Sequence, residues 1–328
     1  MNHNTLTTLC SLPGISGRED KVRELILAEI TPRCESVTVD NLGNVIAFVK
    51  GKASRSSRVL VAAHMDEVGL IITAKDGEFH RFTAVGGTTA AVLPAKRVRC
   101  GGQIGVIGTV PVHLQKDKDR LPDISEMFID FGGADIKIGS SVIFDSDSFD
   151  ISENLSVGRA IDDRFGCAVL IELIKSGVEK DTYFTFTVQE ELGCRGAKAV
   201  AMAVKPDVAI VVEATTAADT PDAKSEAEQV CRLGGGACIP FMDKGAVYDK
   251  ELYETAWALA RKNRLCLQTK HKIAGGNDAG ALAIYGGGAR VLAVSLPCRN
   301  LHSPAVIWDK RDGECVERLV RELISNIE

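Results

Sequence analysis

No block of Lys or Arg interrupts this 328-residue sequence, and its formal net charge is -5. A nucleic-acid surface needs clustered positive charge, so that class is set aside. No basic amphipathic stretch suited to a membrane surface is present, and no apolar run is long enough to span a bilayer. The first residues, MNHNTLTTLCSLPGISGRED, lack a charged start followed by a long apolar core. They do not read as a signal peptide, and a cytoplasmic location is expected. Ten cysteines occur without a C-x-x-C pair, which argues against a zinc ribbon. A chain this long needs no disulfide staples, so the cysteines are expected to be reduced and buried, as Cys167 is in GCAVLIELI. No internal repeat or low-complexity segment is evident.

What is there is ordinary globular composition, 45% hydrophobic and 25% charged, with length enough for two units. Helical periodicity in residues 19–30 puts Val22, Leu25, Ile26 and Ile30 on one side. Strands are expected at 44–49 and at the apolar run 58–63. From 67 to 155 the texture changes to short β-rich pieces separated by Gly, Pro and Asp, which suggests a small barrel or sandwich. Alternation resumes afterwards, with helices at 163–176, 251–262 and 310–327 and strands at 183–188, 207–212 and 290–296. The fold class expected is α/β, a mixed sheet flanked by helices with an inserted small all-β domain. The α/β domain is discontinuous, 1–66 plus 156–328, and the insert is 67–155.

Polar clusters fall where strands end or helices begin, the edge at which open α/β sheets bind ligands. In VAAHMDEVG, His64 follows a buried strand, and Asp66 suits the acceptor that orients a ligating imidazole. In GRAIDDRFG, Asp162 and Asp163 open an apolar helix, either as a cap or with one carboxylate bridging two metals. In TVQEELG, a buried strand runs into Glu190 and Glu191, which repel unless a cation or proton intervenes. Glu213 ends another apolar strand, and His302 follows a further one. Asp219, before Thr220-Pro221, reads as turn chemistry. Two His and three carboxylates suit hard-to-borderline divalent ions. Asp162, Glu191, Glu213 and a hydroxide balance two divalent charges, whereas one zinc leaves acidic groups unpaired.

Together HMDEVG, GRAIDDRFG, VQEELGCRGA, EATTAADTP, GGNDAGA and RNLHSP resemble, in order, the co-catalytic metallopeptidases related to glutamyl aminopeptidase and the tetrahedral aminopeptidases. The resemblance covers nearly the whole chain. It implies a zinc-peptidase-like fold and two divalent ions, zinc or cobalt, with manganese also suited. It implies that Asp162 bridges them, that His64 and Glu213 complete one site, and that Glu191 and His302 complete the other. It further implies Glu190 as general base, Asp66 as support for His64, and a non-proline cis peptide after Asp162. Many relatives carry Asp where Glu213 stands. The implied partners are peptide substrates and further copies of the chain, up to a tetrahedral dodecamer joined through the insert.

The Gly-rich stretch GGNDAGA has no P-loop Lys and is expected to line a substrate pocket through Gly275, Gly276, Asn277 and Asp278. Arg299 is a candidate partner for an acidic substrate side chain, while His80, His113 and His271 receive no role. Rival readings are a metal-dependent deacylase or amidase of small N-acyl compounds, a glycosidase using Glu190 with a second carboxylate, and an assembly protein with a structural metal. The glycosidase leaves both His unexplained, and a structural zinc site is normally Cys-rich.

Overall fold

The computed structural model describes residues 3–114, 120–223, 225 and 228–328. The chain opens with α1 (His3–Ser11), α2 (Asp20–Ile30), β1 (Ser36–Val39), β2 (Val45–Val49) and β3 (Val59–His64). Six strands follow: β4 (Gly69–Asp76), β5 (Phe79–Val85), β6 (Arg97–Cys100), β7 (Gln103–Gly108), β8 (Phe128–Asp130) and β9 (Ser141–Phe144). The remainder is β10 (Phe149–Asp150), β11 (Leu155–Gly158), α3 (Ile161–Ser176), β12 (Thr182–Thr187), α4 (Arg195–Val204) and β13 (Val208–Thr216). It continues through β14 (Ala237–Ile239), α5 (Lys250–Asn263), β15 (Leu267–Thr269), α6 (Asp278–Leu282), β16 (Arg290–Arg299), β17 (Val306–Asp309) and α7 (Lys310–Asn326).

β4 to β9 close into a small barrel around Leu70, Ile72, Val98, Ile129 and Val142. The other strands form one mixed sheet, nine of them in the order β1-β2-β12-β3-β13-β16-β17-β11-β10, with β14 paired to β16 and β15 to β14. Phe149–Asp150 therefore belongs to the main sheet rather than to the barrel. The mixed α/β architecture with a small β-barrel is the fold the sequence pattern led us to expect.

The sheet's centre explains its sequence. β3, β12, β13 and β16 are neighbours and mutually parallel, and nearly every residue in them is buried. Strands covered on both faces read as continuous apolar runs rather than alternations. α3 packs against β3 and β13 and is buried from Asp163 to Ile171. Gly177, at φ 76 and ψ 163, ends it in a backbone conformation that glycine adopts most readily. α2 buries Val22, Ile26 and Ile30, the face marked by its periodicity. All four parallel strands point their C-terminal ends the same way, so residues at those ends meet.

A buried ionic knot joins the N-terminal segment to the turn after β3. Glu67 pairs with Arg159 and Arg164, and all three are almost fully buried. The Arg164 guanidinium also donates to the carbonyls of Leu9 (2.6 Å), Gly14 (3.2 Å) and Met65 (2.8 Å). Removing one member of a buried pair strands the others without compensation. Glu67→Gln is expected to cost about 3 kcal/mol, read as a lower urea midpoint at unchanged slope.

Candidate metal centre

His64 is the last residue of β3, and its ring is fixed from behind. Nδ1 lies 3.0 Å from the Asp66 carbonyl oxygen and 3.5 Å from Asp66 Oδ1. A carbonyl only accepts, so Nδ1 carries the hydrogen and Nε2 faces the cleft. Nε2 stands 3.1 Å from Asp162 Oδ1 and 3.6 Å from Glu213 Oε1. On the other side, His302 Nε2 stands 3.4 Å from Asp162 Oδ2 and 3.1 Å from Glu191 Oε1. Each of the two groups, His64–Asp162–Glu213 and Asp162–Glu191–His302, has its ligand atoms within 4.8 Å of one another. Asp162 belongs to both and offers a different oxygen to each.

Asp162 and Asp163 do not cap α3. Ala160, at φ 54, occupies the cap position, and the Asp162–Asp163 peptide is cis, as the resemblance implied. Asp163 is turned away from the cleft. Its oxygens accept from the amides of His64 (3.3 Å) and Gly166 (2.8 Å), so it steadies the end of β3. Glu213 does not end its strand. β13 runs on to Thr216 and stays paired with β16, which holds Glu213 rigidly within the sheet edge.

The support given by Asp66 is broader than expected. His64 leans chiefly on the Asp66 carbonyl, while the Asp66 carboxylate accepts from the amides of Glu190 (2.9 Å) and Glu191 (3.2 Å) and from Ser16 Oγ (2.6 Å). Buried Glu19 accepts from the Gln189 amide at 3.2 Å. Three consecutive amides, from Gln189 to Glu191, thus point at two buried carboxylates. Gln189 holds φ 55, a left-handed conformation that only a firmly constrained non-glycine residue keeps. Neither Glu19 nor Ser16 stood out in the sequence, because both lie far from any ligand motif.

The barrel reaches into the same centre. The His302 Nδ1–H donates to the Gly87 carbonyl oxygen at 3.3 Å, which fixes that ring as the Asp66 carbonyl fixes His64. A Cβ on Gly87 would stand 2.6 Å from His302 Nδ1. The Gly-Gly pair in AVGGTTA is the only sequence trace of this contact. Gly87→Ala is expected to weaken metal retention about tenfold by displacing an orienting partner, measured as faster loss of metal to a chelator.

The electrostatics call for positive charge. Burial first, and then Asp162, push Glu213 up to about 8. Burial opposes a charged His302, but Asp162 and Glu191 outweigh it and push it up to about 11. Burial likewise opposes a charged His64, and Glu213, Asp162 and Asp66 together raise it well above its ordinary value. Burial, followed by Glu213, Asp278 and Glu191, holds Glu190 well above the usual carboxylate range. Buried acids that repel one another beside imidazole nitrogens form a nitrogen and oxygen donor set that suits divalent ions.

Asp162, Glu190, Glu191, Glu213 and His302 open onto a cavity of about 820 Å³ lined also by Gly275, Gly276, Asn277, Lys198 and Tyr285, while His64 is buried. Asp278 does not line it. That residue is 1% exposed, and its Oδ2 accepts from Thr187 Oγ1 at 2.5 Å. Arg299 is not available to a substrate either, because Asp219 holds it through two bonds of 2.7 and 2.8 Å. Among the described residues no helix is long and apolar enough to cross a membrane.

Comparison with known proteins identifies the family. The profile of the M42 glutamyl aminopeptidase family matches residues 43–319. The lysyl aminopeptidase of Pyrococcus furiosus is 31% identical, over 96% of this chain and 94% of its own. The Pyrococcus horikoshii TET1 peptidase, described as assembling into a tetrahedron or a large octahedral shell, superposes with a TM-score of 0.87 at 30% identity, covering 99% of each chain. A Thermotoga maritima structure described as an endoglucanase is 36% identical with a TM-score of 0.81, covering 98% of this chain and 96% of its own. The chain belongs to the M42 glutamyl aminopeptidase family and is a peptide-bond hydrolase of the aminopeptidase class.

Proposed function

We propose a dinuclear aminopeptidase in which Asp162 bridges two divalent ions, His64 and Glu213 complete one site, and Glu191 and His302 complete the other. The observation that carries this reading is that Asp162 presents Oδ1 to His64 and Oδ2 to His302. Bound there, zinc or cobalt, or manganese, would supply Lewis-acid polarisation of the scissile carbonyl and a water of lowered pKa. The protein's own residues do the rest. Glu190 takes a proton from the attacking water and hands it to the leaving amine, a task suited to a carboxyl raised toward neutrality. The Asp66 carboxylate holds the Glu190 amide and Glu19 holds the Gln189 amide before it, so the base arrives positioned. A peptide's free α-amine would be received by one of the bound ions, which an N-acyl cap would prevent. We place Gly275, Gly276 and Asn277 along the substrate and Asp278 behind them.

Assembly is proposed through the barrel. Ile104 and Val106 are 52% and 44% exposed on β7, and the exposed Phe79 lies on β5, across the intervening β8. A shell like that of the P. horikoshii relative would cover them. Paired Ile104→Asp and Val106→Asp substitutions are expected to leave dimers or smaller species, resolved by light scattering.

The test of the activity is metal analysis with a substrate panel before and after chelation. Aminoacyl anilides should be cleaved, and the rate should vanish on chelation and return with zinc or cobalt. Preferential cleavage of the N-acetylated anilides would point to a deacylase. Cleavage of a β-glucan that survives chelation would point to the glycosidase suggested by the name of the T. maritima relative.

A further inference from the structure

The glycine-rich wall of the cavity is held from behind by a buried polar network. Gly245, Gly275, Gly276 and Asn277 line the cavity, but they come from two segments, 241–248 after β14 and 274–277 leading into α6. Backbone meets backbone between them. The Lys244 amide donates to the Gly275 carbonyl at 2.9 Å, and a Cβ on Gly280 would stand 3.0 Å from the Gly245 carbonyl oxygen. Segments this rich in glycine lose much backbone freedom on ordering, so a strong tie is needed to keep them in place. Asp243, a carboxylate only 2% exposed, supplies it. Its Oδ1 accepts from the amides of Gly245 (2.7 Å) and Ala246 (2.9 Å), closing the first segment on itself. Its Oδ2 accepts from Tyr248 Oη and from Asn277 Nδ2, the latter at 3.3 Å. Asn277 Nδ2 also donates to Tyr248 Oη at 3.1 Å, and Asn277 Oδ1 accepts from the Ala279 amide at 2.9 Å, capping α6. Hydrogen bonds to a buried carboxylate are strong, and breaking one is felt in full. The network ends beside the chemistry, because Asp278, next to Asn277, has a carboxylate oxygen within 4.8 Å of one from Glu190.

We propose that Asp243, together with Tyr248, is a substrate-positioning residue: it touches no substrate itself, and acts through Asn277 and the Gly245 and Gly276 backbones to fix the wall that holds a peptide beside Glu190. This rests on the placement of Gly275, Gly276 and Asn277 along the substrate. A wall already fixed costs no ordering when the peptide arrives. A loosened wall has to be ordered at each encounter, so its loss falls on KM rather than on kcat. The chemistry of the tie is specific. An amide in place of the carboxylate has one acceptor oxygen. It can serve the amides of Gly245 and Ala246 or the side-chain amide of Asn277, not both.

The experiment uses the metal-loaded enzyme and a tripeptide substrate. Asp243→Asn should raise KM about tenfold and change kcat by less than about threefold. Asp243→Asn combined with Asn277→Asp exchanges amide and carboxylate, so that a donor again faces an acceptor, and should bring KM back to within about threefold of wild type. Tyr248→Phe removes one donor and should raise KM about threefold; it carries the test should Asp243→Asn fail to fold. Hydrogen exchange reads the wall directly. Without peptide, the amides of 244–246 and 275–277 should exchange about tenfold faster in Asp243→Asn, with those of β3 and β13 unchanged. Unchanged KM in both single variants, additive losses in the double variant, or a raised KM with unchanged exchange in the wall overturns the proposal. The placement of the wall is checked apart, in wild type, with a tripeptide whose first peptide bond is replaced by CH2–NH. It should slow exchange at 275–277. No slowing there means that the wall does not meet the peptide, and the placement fails together with the positioning role, while faster exchange in Asp243→Asn would still show that Asp243 ties the two segments.

Discussion

If Glu190 is the proposed base, Glu190→Gln is expected to lower kcat by about 10²- to 10⁴-fold, the range a general acid–base catalyst supplies, with metal content unchanged. The glutamine keeps the size of the side chain and removes its basicity. It leaves the Glu190 amide bonded to Asp66, so the neighbouring Glu191 keeps its place beside His302. Neither group of donors around Asp162 includes Glu190. The loss should therefore fall on kcat rather than on KM, since the interaction removed matters only as the proton moves. Metal analysis beside steady-state kinetics checks it. A variant that has lost an ion would mean that Glu190 is a ligand, and near-normal turnover would remove it from the chemistry.

The residues proposed as base and ligands stood out in the sequence because each sits at a discontinuity of pattern. A buried strand cannot end in charge without a reason, and VLVAAH, FTFTVQEE and VAIVVE each do so or come close. The parallel packing of β3, β12, β13 and β16 turns those separate breaks into one edge. Where the reading fell short, the missing information was tertiary. Glu213 looked like a strand end because polarity rises there, yet β13 continues for three residues on backbone pairing with β16 that polarity does not report. Arg299 was a substrate candidate until Asp219, 80 residues away in sequence, was found to hold it. Asp278 shared a Gly-rich motif with Asn277, but the short helix α6 turns one residue into the wall and leaves the other on the cavity. The clamp by Glu19, the orienting carbonyl of Gly87 and the knot at Glu67 involve pairs far apart in the chain, which no local periodicity encodes.

Asp162→Asn should abolish turnover and also abolish the stabilisation of the fold by added metal. The reason is that Asp162 is the one residue common to both groups of donors. An amide offers a single neutral oxygen where the carboxylate offers two charged ones, so both sites weaken together. In wild type, metal at about a thousandfold excess over its dissociation constant adds about 4 kcal/mol to folding, seen as a higher Tm, whereas the variant shows almost no rise. The pH dependence of the metal-free wild type gives an independent check. Glu213, ordinarily near 4.5, is pushed up to about 8 by burial and then Asp162, so its folded form holds its proton more tightly than the unfolded chain does. Its contribution is fully present below 4.5 and is lost as pH rises toward 8. His302, ordinarily near 6.5 and pushed up to about 11, has the same sign, losing its contribution from 6.5 upward. Metal-free protein should therefore melt at lower temperature at pH 8 than at pH 5. Bound ions displace those protons, so metal affinity and the metal-induced rise in Tm should both grow over the same interval. Melting curves at the two pH values, with and without zinc, measure all of this. A metal-induced rise in Tm that survives in Asp162→Asn would show that the ions are held without the shared carboxylate, and the bridging geometry would have to be given up.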